Sequence, residues 1–126
     1  MRRLLQIAVS VGALVPIAAG LMGIVLGPDM LGDNGQWTIS MDSHYRYLSG
    51  LLLGIGLCFW STVPDIEMKT ARFQLLTMIV VTGGLARLYA LSMVGVPNGE
   101  MLFGLGMELV VTPLLALWQK AVAQRT

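Results

Sequence analysis

Residues Met41 to Trp60 read MDSHYRYLSGLLLGIGLCFW, and this stretch decides the fold class. An acid, an imidazole and a guanidinium (Asp42, His44 and Arg46) are followed at once by a long apolar run. A helix needs roughly 20 apolar residues to cross the hydrocarbon core of a bilayer, which is about 30 Å thick. The stretch therefore predicts a membrane helix that begins in a cluster of polar side chains.

The composition of the whole chain agrees with a membrane protein. Of its 126 residues, 56% are hydrophobic and only 12% are charged, whereas soluble domains contain about 25% charged residues. The formal net charge of +1 provides no basic field for nucleic acid. Cys58 is the single cysteine and His44 the single histidine, so the sequence offers no intrachain disulfide and no metal-ligand cluster. We therefore predict one domain in a lipid bilayer, with no metal and no cofactor.

Four apolar segments are long enough to be spans, and together they predict an all-α, integral membrane four-helix bundle formed by residues 1–126. The first continues past a signal-peptide-like IAAG to Leu26, so we interpret it as a retained span. The connection 27–44 is long and rich in turn residues. Two interpretations of it stay open: a lid over the polar residues, or an ordinary solvated turn. The four predicted spans are residues 4–26, 45–63, 73–96 and 101–118.

Basic residues predict the orientation of these spans. They fall at the start of the chain, in the second connection and in the C-terminal tail, which lie on one side of a four-span protein. By the positive-inside rule that side is the cytoplasm, so both termini are predicted to be cytoplasmic. The residues are Arg2, Arg3, Lys69, Arg72, Lys120 and Arg125, and the acids Asp29, Asp33, Asp42 and Glu100 fall on the other side.

Charged residues inside the spans share helical faces with small residues, as expected where helices pack together. Arg87 lies about nine residues below the outer end of its span and Glu108 about seven, so both are roughly 10 to 14 Å deep. A charge at that depth costs at least about 2.5 to 3.5 kcal/mol, which favours an ion pair. The shared faces are Arg46 with Gly50 and Gly54, Arg87 with Gly83 and Gly84, and Glu108 with Gly104 and Thr112.

These positions predict a polar cluster in the outer half of the bundle. In one interpretation the groups are structural: Arg87 and Glu108 hold two spans in register, Arg46 pairs with Asp42 at i, i+4, and Asp42 or Ser43 caps the helix. In the other they bind an anionic headgroup or a carboxylate. His44 is either a capping residue or a general base oriented by Asp42. The candidate ligand-binding residues are Asp42, His44, Arg46, Tyr47, Ser49, Arg87 and Glu108, with Tyr89 within reach.

Three motifs resemble a bacterial family of small four-span membrane proteins classed as a domain of unknown function. They are DSHYRYLSGLLLGIGL after Met41, GGLARL in the third span and ELVVTPLLALWQ in the fourth. The resemblance covers nearly the whole chain, with Met41 standing where the family pattern has leucine. It implies a multi-pass protein of the bacterial inner membrane with no established activity.

Three functional hypotheses fit these observations. The first is a binding or accessory protein whose polar cluster holds a lipid headgroup, a quinone or a similar amphipathic small molecule. The second is a small proton-coupled transporter that uses Glu108 and works as a homo-oligomer or within a membrane complex. The third is a lipid-modifying membrane enzyme acting through His44, Asp42 and Glu108, although no catalytic spacing is present.

Overall fold

The structure is a computed structural model that describes residues 2–28, 37–95 and 99–125. It is all-α across these ranges, as predicted. Four long helices follow one another, and the fourth is built from three consecutive segments. The helices are α1 (Arg2–Leu26), α2 (Ile39–Ser61), α3 (Thr70–Met93), then α4 (Gly99–Gly106), a π-helical segment (Met107–Val111) and α5 (Thr112–Arg125), with a 3₁₀ turn at Ile66–Met68.

Three helices within the described ranges are long and apolar enough to cross a membrane: Arg2–Leu26, Thr70–Met93 and Leu102–Arg125. They confirm a membrane protein with several spans. Helix α2 is not among them, because its first two turns carry Asp42, His44 and Arg46. The predicted span 45–63 therefore stays a prediction.

Helix α2 begins at Ile39, earlier than the predicted residue 45. Its N-cap is Thr38, whose hydroxyl accepts a hydrogen bond from the backbone N–H of Met41 at 3.0 Å. The prediction that Asp42 or Ser43 caps this helix was wrong. The Thr38 hydroxyl satisfies a free N–H of the first turn, so Asp42, His44 and Arg46 lie inside the helix and do not cap it.

Other predicted boundaries shift as well, and the last helix ends at Arg125, whereas 118 was predicted. Helix α3 begins at Thr70 and ends at Met93, whereas 73–96 was predicted. Val96, and the turn residues Asp33, Asn34 and Gly35 of the first connection, lie outside the described residues.

The chain forms two compact units, and the first is Ile7–Val63. Within it, α1 and α2 pack closely because α1 presents glycines. A Cβ atom on Gly20 would lie 2.7 Å from the backbone nitrogen of Leu53 and 2.7 Å from the carbonyl oxygen of Ser49. Trp60 adds a hydrogen bond from its indole N–H to the Ser10 carbonyl at 3.0 Å.

The glycine face predicted for α2 is not the one that packs. Among the described residues, a Cβ on Gly54 would meet nothing within 4 Å, and one on Gly50 would only touch Ile24 at 4.0 Å. The closest contacts fall on Ser49, Leu53 and Gly56 instead. The prediction that Gly50 and Gly54 form the packing face was wrong, since the glycines that allow the close approach are mainly those of α1.

The second unit is Met1–Gln6 together with Pro64–Thr126. Arg2 joins its two parts by donating to the Glu67 carboxylate at 2.6 Å and to the Pro64 carbonyl at 3.0 Å. The hydrogen bond from Arg2 lowers the pKa of the Glu67 carboxyl. Gln119 is fully buried, and its amide N–H groups donate to the Ile66 carbonyl at 2.8 Å and to the Thr70 hydroxyl at 2.9 Å.

Candidate functional site

In the first unit, Arg46 lies between its own helix and the end of α1. Its Nε donates to the Asp42 carboxylate at 2.7 Å, which confirms the predicted i, i+4 pair. Its Nη1 donates to the carbonyls of Ile24 at 2.5 Å and Val25 at 3.3 Å. These carbonyls belong to the last turn of α1, where no intrahelical N–H is left to bond them. The guanidinium therefore caps α1 and complements the negative end of its dipole.

Gly27 makes room for this cap. Its φ of +67° is a left-handed conformation that favours glycine, and a Cβ there would lie 2.7 Å from Nη2 of Arg46. A side chain at this position would push the guanidinium away from the carbonyls. The end of α1 is thus shaped around Arg46, and the side chain is held by protein groups on two sides.

An open groove of about 490 Å³ lies beside this cap, at the beginning of α2. Four of its residues are spaced i, i+3, i+4 and i+7 along α2, so one helical face forms its wall. Most of the lining is apolar, and the polar members are Ser40, His44 and the indole of Trp37. The Nε1 atom of Trp37 is buried and has no hydrogen-bond partner among the described residues. The lining residues are Pro28, Trp37, Ser40, Met41, His44, Tyr45 and Leu48.

Only His44 of the predicted site residues lines this groove. Tyr47 is exposed, with its ring centroid 6.5 Å from that of His44. Ser49 is buried where Gly23 approaches it, which makes it a packing residue. The sequence contained a usable signal for the groove in the spacing of Met41, His44, Tyr45 and Leu48, but the prediction followed the face of Arg46 instead.

The second unit contains the predicted pair of Arg87 and Glu108. Nη2 of Arg87 lies 3.1 Å from Oε1 of Glu108, and both side chains are largely covered by protein. Glycines make space for the pair: a Cβ on Gly84 would lie 2.9 Å from Cβ of Glu108, and one on Gly104 would lie 3.6 Å from Oε1. The Glu108 side chain thus packs against Gly84 more closely than a Cβ atom at that position would allow.

Glu108 lies in the π-helical segment Met107–Val111. The Thr112 hydroxyl donates to the Met107 carbonyl at 2.7 Å, and Pro113 follows directly. Proline has no N–H, so it cannot donate to a carbonyl in the preceding turn. Single-turn π segments inside α-helices are frequently found at functional sites. This local winding sets the direction in which the Glu108 carboxylate leaves its helix.

The seven predicted residues belong to different units. Arg87 and Glu108 lie in the second unit, whereas Asp42, His44, Arg46, Tyr47 and Ser49 lie in Ile7–Val63. Their convergence in one ligand site stays a prediction. Among the described residues, no three His, Cys, Asp or Glu side chains are grouped to hold a metal ion.

Comparison with known proteins gives one match. The family model described as Domain of unknown function (DUF4345) matches residues 4–119, which is most of the chain. Neither the curated proteins nor the solved structures contain a match. The three sequence motifs, helices α2 and α3 and the Arg87–Glu108 pair fall within the matched residues, and the first and last helices extend slightly beyond them. The chain therefore belongs to the DUF4345 family.

Proposed function

We propose that this protein crosses the bacterial inner membrane four times, with both termini in the cytoplasm. It acts as a binding or accessory protein that holds an amphipathic small molecule. In this proposal helix α2 crosses the membrane in addition to the three candidate spans. Its 23 residues have a length of about 35 Å at 1.5 Å per residue. That length covers a hydrocarbon core of about 30 Å and leaves the first turn among the headgroups.

The observation that carries the proposal is the groove at the beginning of α2. Ligand sites are concave and mostly apolar, and they contain a few polar groups that orient the ligand. The groove has this composition, since Met41, Tyr45 and Leu48 form an apolar wall and His44 and Ser40 supply polar atoms. In the proposed orientation Ser40 lies at headgroup level, His44 lies just below it, and the apolar wall faces the acyl chains.

The chemistry of the groove favours a neutral ligand that accepts hydrogen bonds. Arg46 is engaged by Asp42 and by backbone carbonyls, so its charge is compensated. The groove itself contributes the Ser40 hydroxyl, the His44 imidazole and the Trp37 indole. The Nε1 atom of Trp37 is a buried donor with no acceptor among the described residues, whereas buried polar atoms in proteins are usually hydrogen-bonded. A quinone carbonyl on an isoprenoid tail has the required acceptor and shape.

Mass spectrometry of the small molecules that co-purify with the protein tests this function. Leu48→Trp fills the groove, and Leu57→Trp is the matched control, because these leucines are 49% and 48% exposed on the same helix and only Leu48 lines the groove. We expect a defined neutral amphiphile with the wild type and with Leu57→Trp, and its loss with Leu48→Trp. Identical bulk lipid in all three preparations would refute the proposed function.

A second candidate function, proton-coupled transport by a homo-oligomer, is favoured by one observation. Glu108 lies in a candidate span, inside a π segment, and pairs with Arg87. Ionisable residues inside membranes frequently serve as proton carriers. Reconstituted vesicles test it: proton flux that is lost in Glu108→Gln supports transport, and wild-type vesicles as tight as protein-free ones contradict it.

A further inference from the structure

Basic residues are concentrated at one end of the second unit. Arg2 and Arg3 begin α1, Lys69 and Arg72 flank the first turn of α3, and Lys120 and Arg125 lie in the last two turns of α5. The acids here are Asp65, which precedes the 3₁₀ turn, and Glu67 within it. Six cations therefore face two anions at this end.

Two contacts of the second unit hold these segments together. Arg2 hydrogen-bonds Glu67, which ties the start of α1 to the 3₁₀ turn. The buried amide of Gln119 donates to the Thr70 hydroxyl at 2.9 Å, which ties α5 to the first turn of α3. Lys120 and Lys69 are the sequence neighbours of Gln119 and Thr70, so the same contact brings the backbones that carry the two lysines together.

Lys69 and Lys120 differ from Arg2 in their ion pairing. Arg2 is paired with Glu67, whereas neither Lys69 nor Lys120 forms an ion pair with any residue that the structure describes. An uncompensated cation at a membrane surface attracts anionic lipid, and each Lys or Arg there contributes about 1 kcal/mol. Lys69 and Lys120 therefore give the second unit two cations that no carboxylate among the described residues pairs with.

Apolar side chains lie one turn further into each helix. Leu117 is three residues before Lys120, and Leu75 is three residues after Arg72, so each leucine shares a helical face with a cation. Both leucines are exposed. A phospholipid has the same order along its length, with a phosphate that would face the cation and acyl chains that would face the apolar residue.

We propose that this basic end is a binding surface for an anionic phospholipid, with Lys69 and Lys120 holding the phosphodiester and the apolar faces of α3 and α5 contacting the acyl chains. The surface lies entirely within the second unit. It shares no residue with the groove at α2, and the proposal does not depend on the function proposed for that groove.

Native mass spectrometry of the full-length protein in detergent, with phosphatidylglycerol or phosphatidylcholine added, tests this surface. We expect phosphatidylglycerol to remain bound to the wild type under conditions that remove phosphatidylcholine. Lys69→Gln/Lys120→Gln should weaken the binding of phosphatidylglycerol by about twenty-five-fold, because each lysine contributes roughly a factor of five. Retention of both lipids to the same extent would overturn the proposal.

Arg3→Gln/Arg125→Gln is the matched control, because it removes the same charge from the same end but not from beside the Gln119–Thr70 contact. The control variant should retain phosphatidylglycerol within a few-fold of the wild type. An equal loss in both double variants would overturn the proposed surface, because the attraction would then come from net charge alone. Circular dichroism and melting in zwitterionic detergent confirm that both variants are folded before they are compared.

Discussion

The close packing of α1 against α2 predicts that a side chain at Gly20 lowers the stability of the protein. Gly20→Ala adds a Cβ atom that would lie 2.7 Å from the Leu53 nitrogen, 2.7 Å from the Ser49 oxygen and 2.9 Å from the Leu53 Cα atom. All three are backbone atoms, so no side-chain rotation relieves the clash and the helices have to separate. Gly54→Ala is the matched control, because a Cβ there meets no atom of the described residues within 4 Å.

The expected magnitude follows from two opposing terms. Extra atoms in a well-packed contact cost about 1 to 3 kcal/mol of the free energy of unfolding. Replacing a helical glycine by alanine stabilises the helix by about 0.8 to 1.0 kcal/mol, because alanine has the higher helix propensity. The propensity gain is common to both variants and cancels in the comparison. Gly20→Ala should therefore be less stable than Gly54→Ala by about 1 to 3 kcal/mol, towards the upper end because the obstacle is backbone.

Unfolding in mixed micelles of a mild detergent and sodium dodecyl sulfate, followed by circular dichroism, measures this difference. Gly54→Ala should unfold at the same or a slightly higher denaturant fraction than the wild type. Equal stability of the two variants would refute the packing described for Gly20, since it would mean that the two helices do not approach closely there.

Three further predictions follow from single contacts. Arg87→Gln and Glu108→Gln should each cost about 1 to 3 kcal/mol, and the double variant less than their sum, because the pair is largely covered; additive costs in a double-mutant cycle would show that no pair exists. Because the hydrogen bond from Arg2 lowers the pKa of Glu67, its stabilisation is complete above the pKa of an unfolded glutamate and is lost as the pH falls through the folded value. Melting temperature should therefore fall less between pH 7 and pH 3 in Glu67→Gln than in the wild type, and parallel curves would contradict this. Thr38→Ala should cost about 1 kcal/mol and Thr38→Ser much less, because only alanine removes the cap of α2; equal losses in a melting experiment would argue against the cap.

The parts of the structure that depend on local spacing were predictable from the sequence. The length of each apolar run predicts a helix, and the i, i+4 spacing of Asp42 and Arg46 predicts their ion pair. The pairing of Arg87 with Glu108 was predictable from depth, because two opposite charges inside a bilayer stabilise one another.

Contacts between distant segments could not be read from the same patterns. Helical spacing assigns Arg46 to a face, but it does not indicate that the partner of that face is the carbonyl end of α1, 22 residues earlier. Helix α2 carries small residues on more than one face, so Gly54 looked as suitable for packing as Ser49. Which face packs depends on where α1 places Gly20 and Gly23, and that is a property of two helices together.

The groove illustrates the same limit. Met41, His44, Tyr45 and Leu48 form a regular helical face that the sequence displays, yet a face becomes a groove only when Pro28 and Trp37 supply other walls. Those two residues come from the connection before α2, where turn residues carry no periodic signal. The site of greatest functional interest therefore lay where sequence patterns are least informative.

The most direct test of the proposed binding site is photo-crosslinking with a neutral quinone that carries a diazirine on its isoprenoid tail. The labelled residues are then located by peptide mass spectrometry. Labelling should concentrate on the segment containing Met41 and Leu48, should be prevented by excess unlabelled quinone, and should disappear in Leu48→Trp but not in Leu57→Trp. Labelling spread evenly along the lipid-exposed faces of α1, α3 and α5, and unaffected by competitor, would contradict a binding site in the groove.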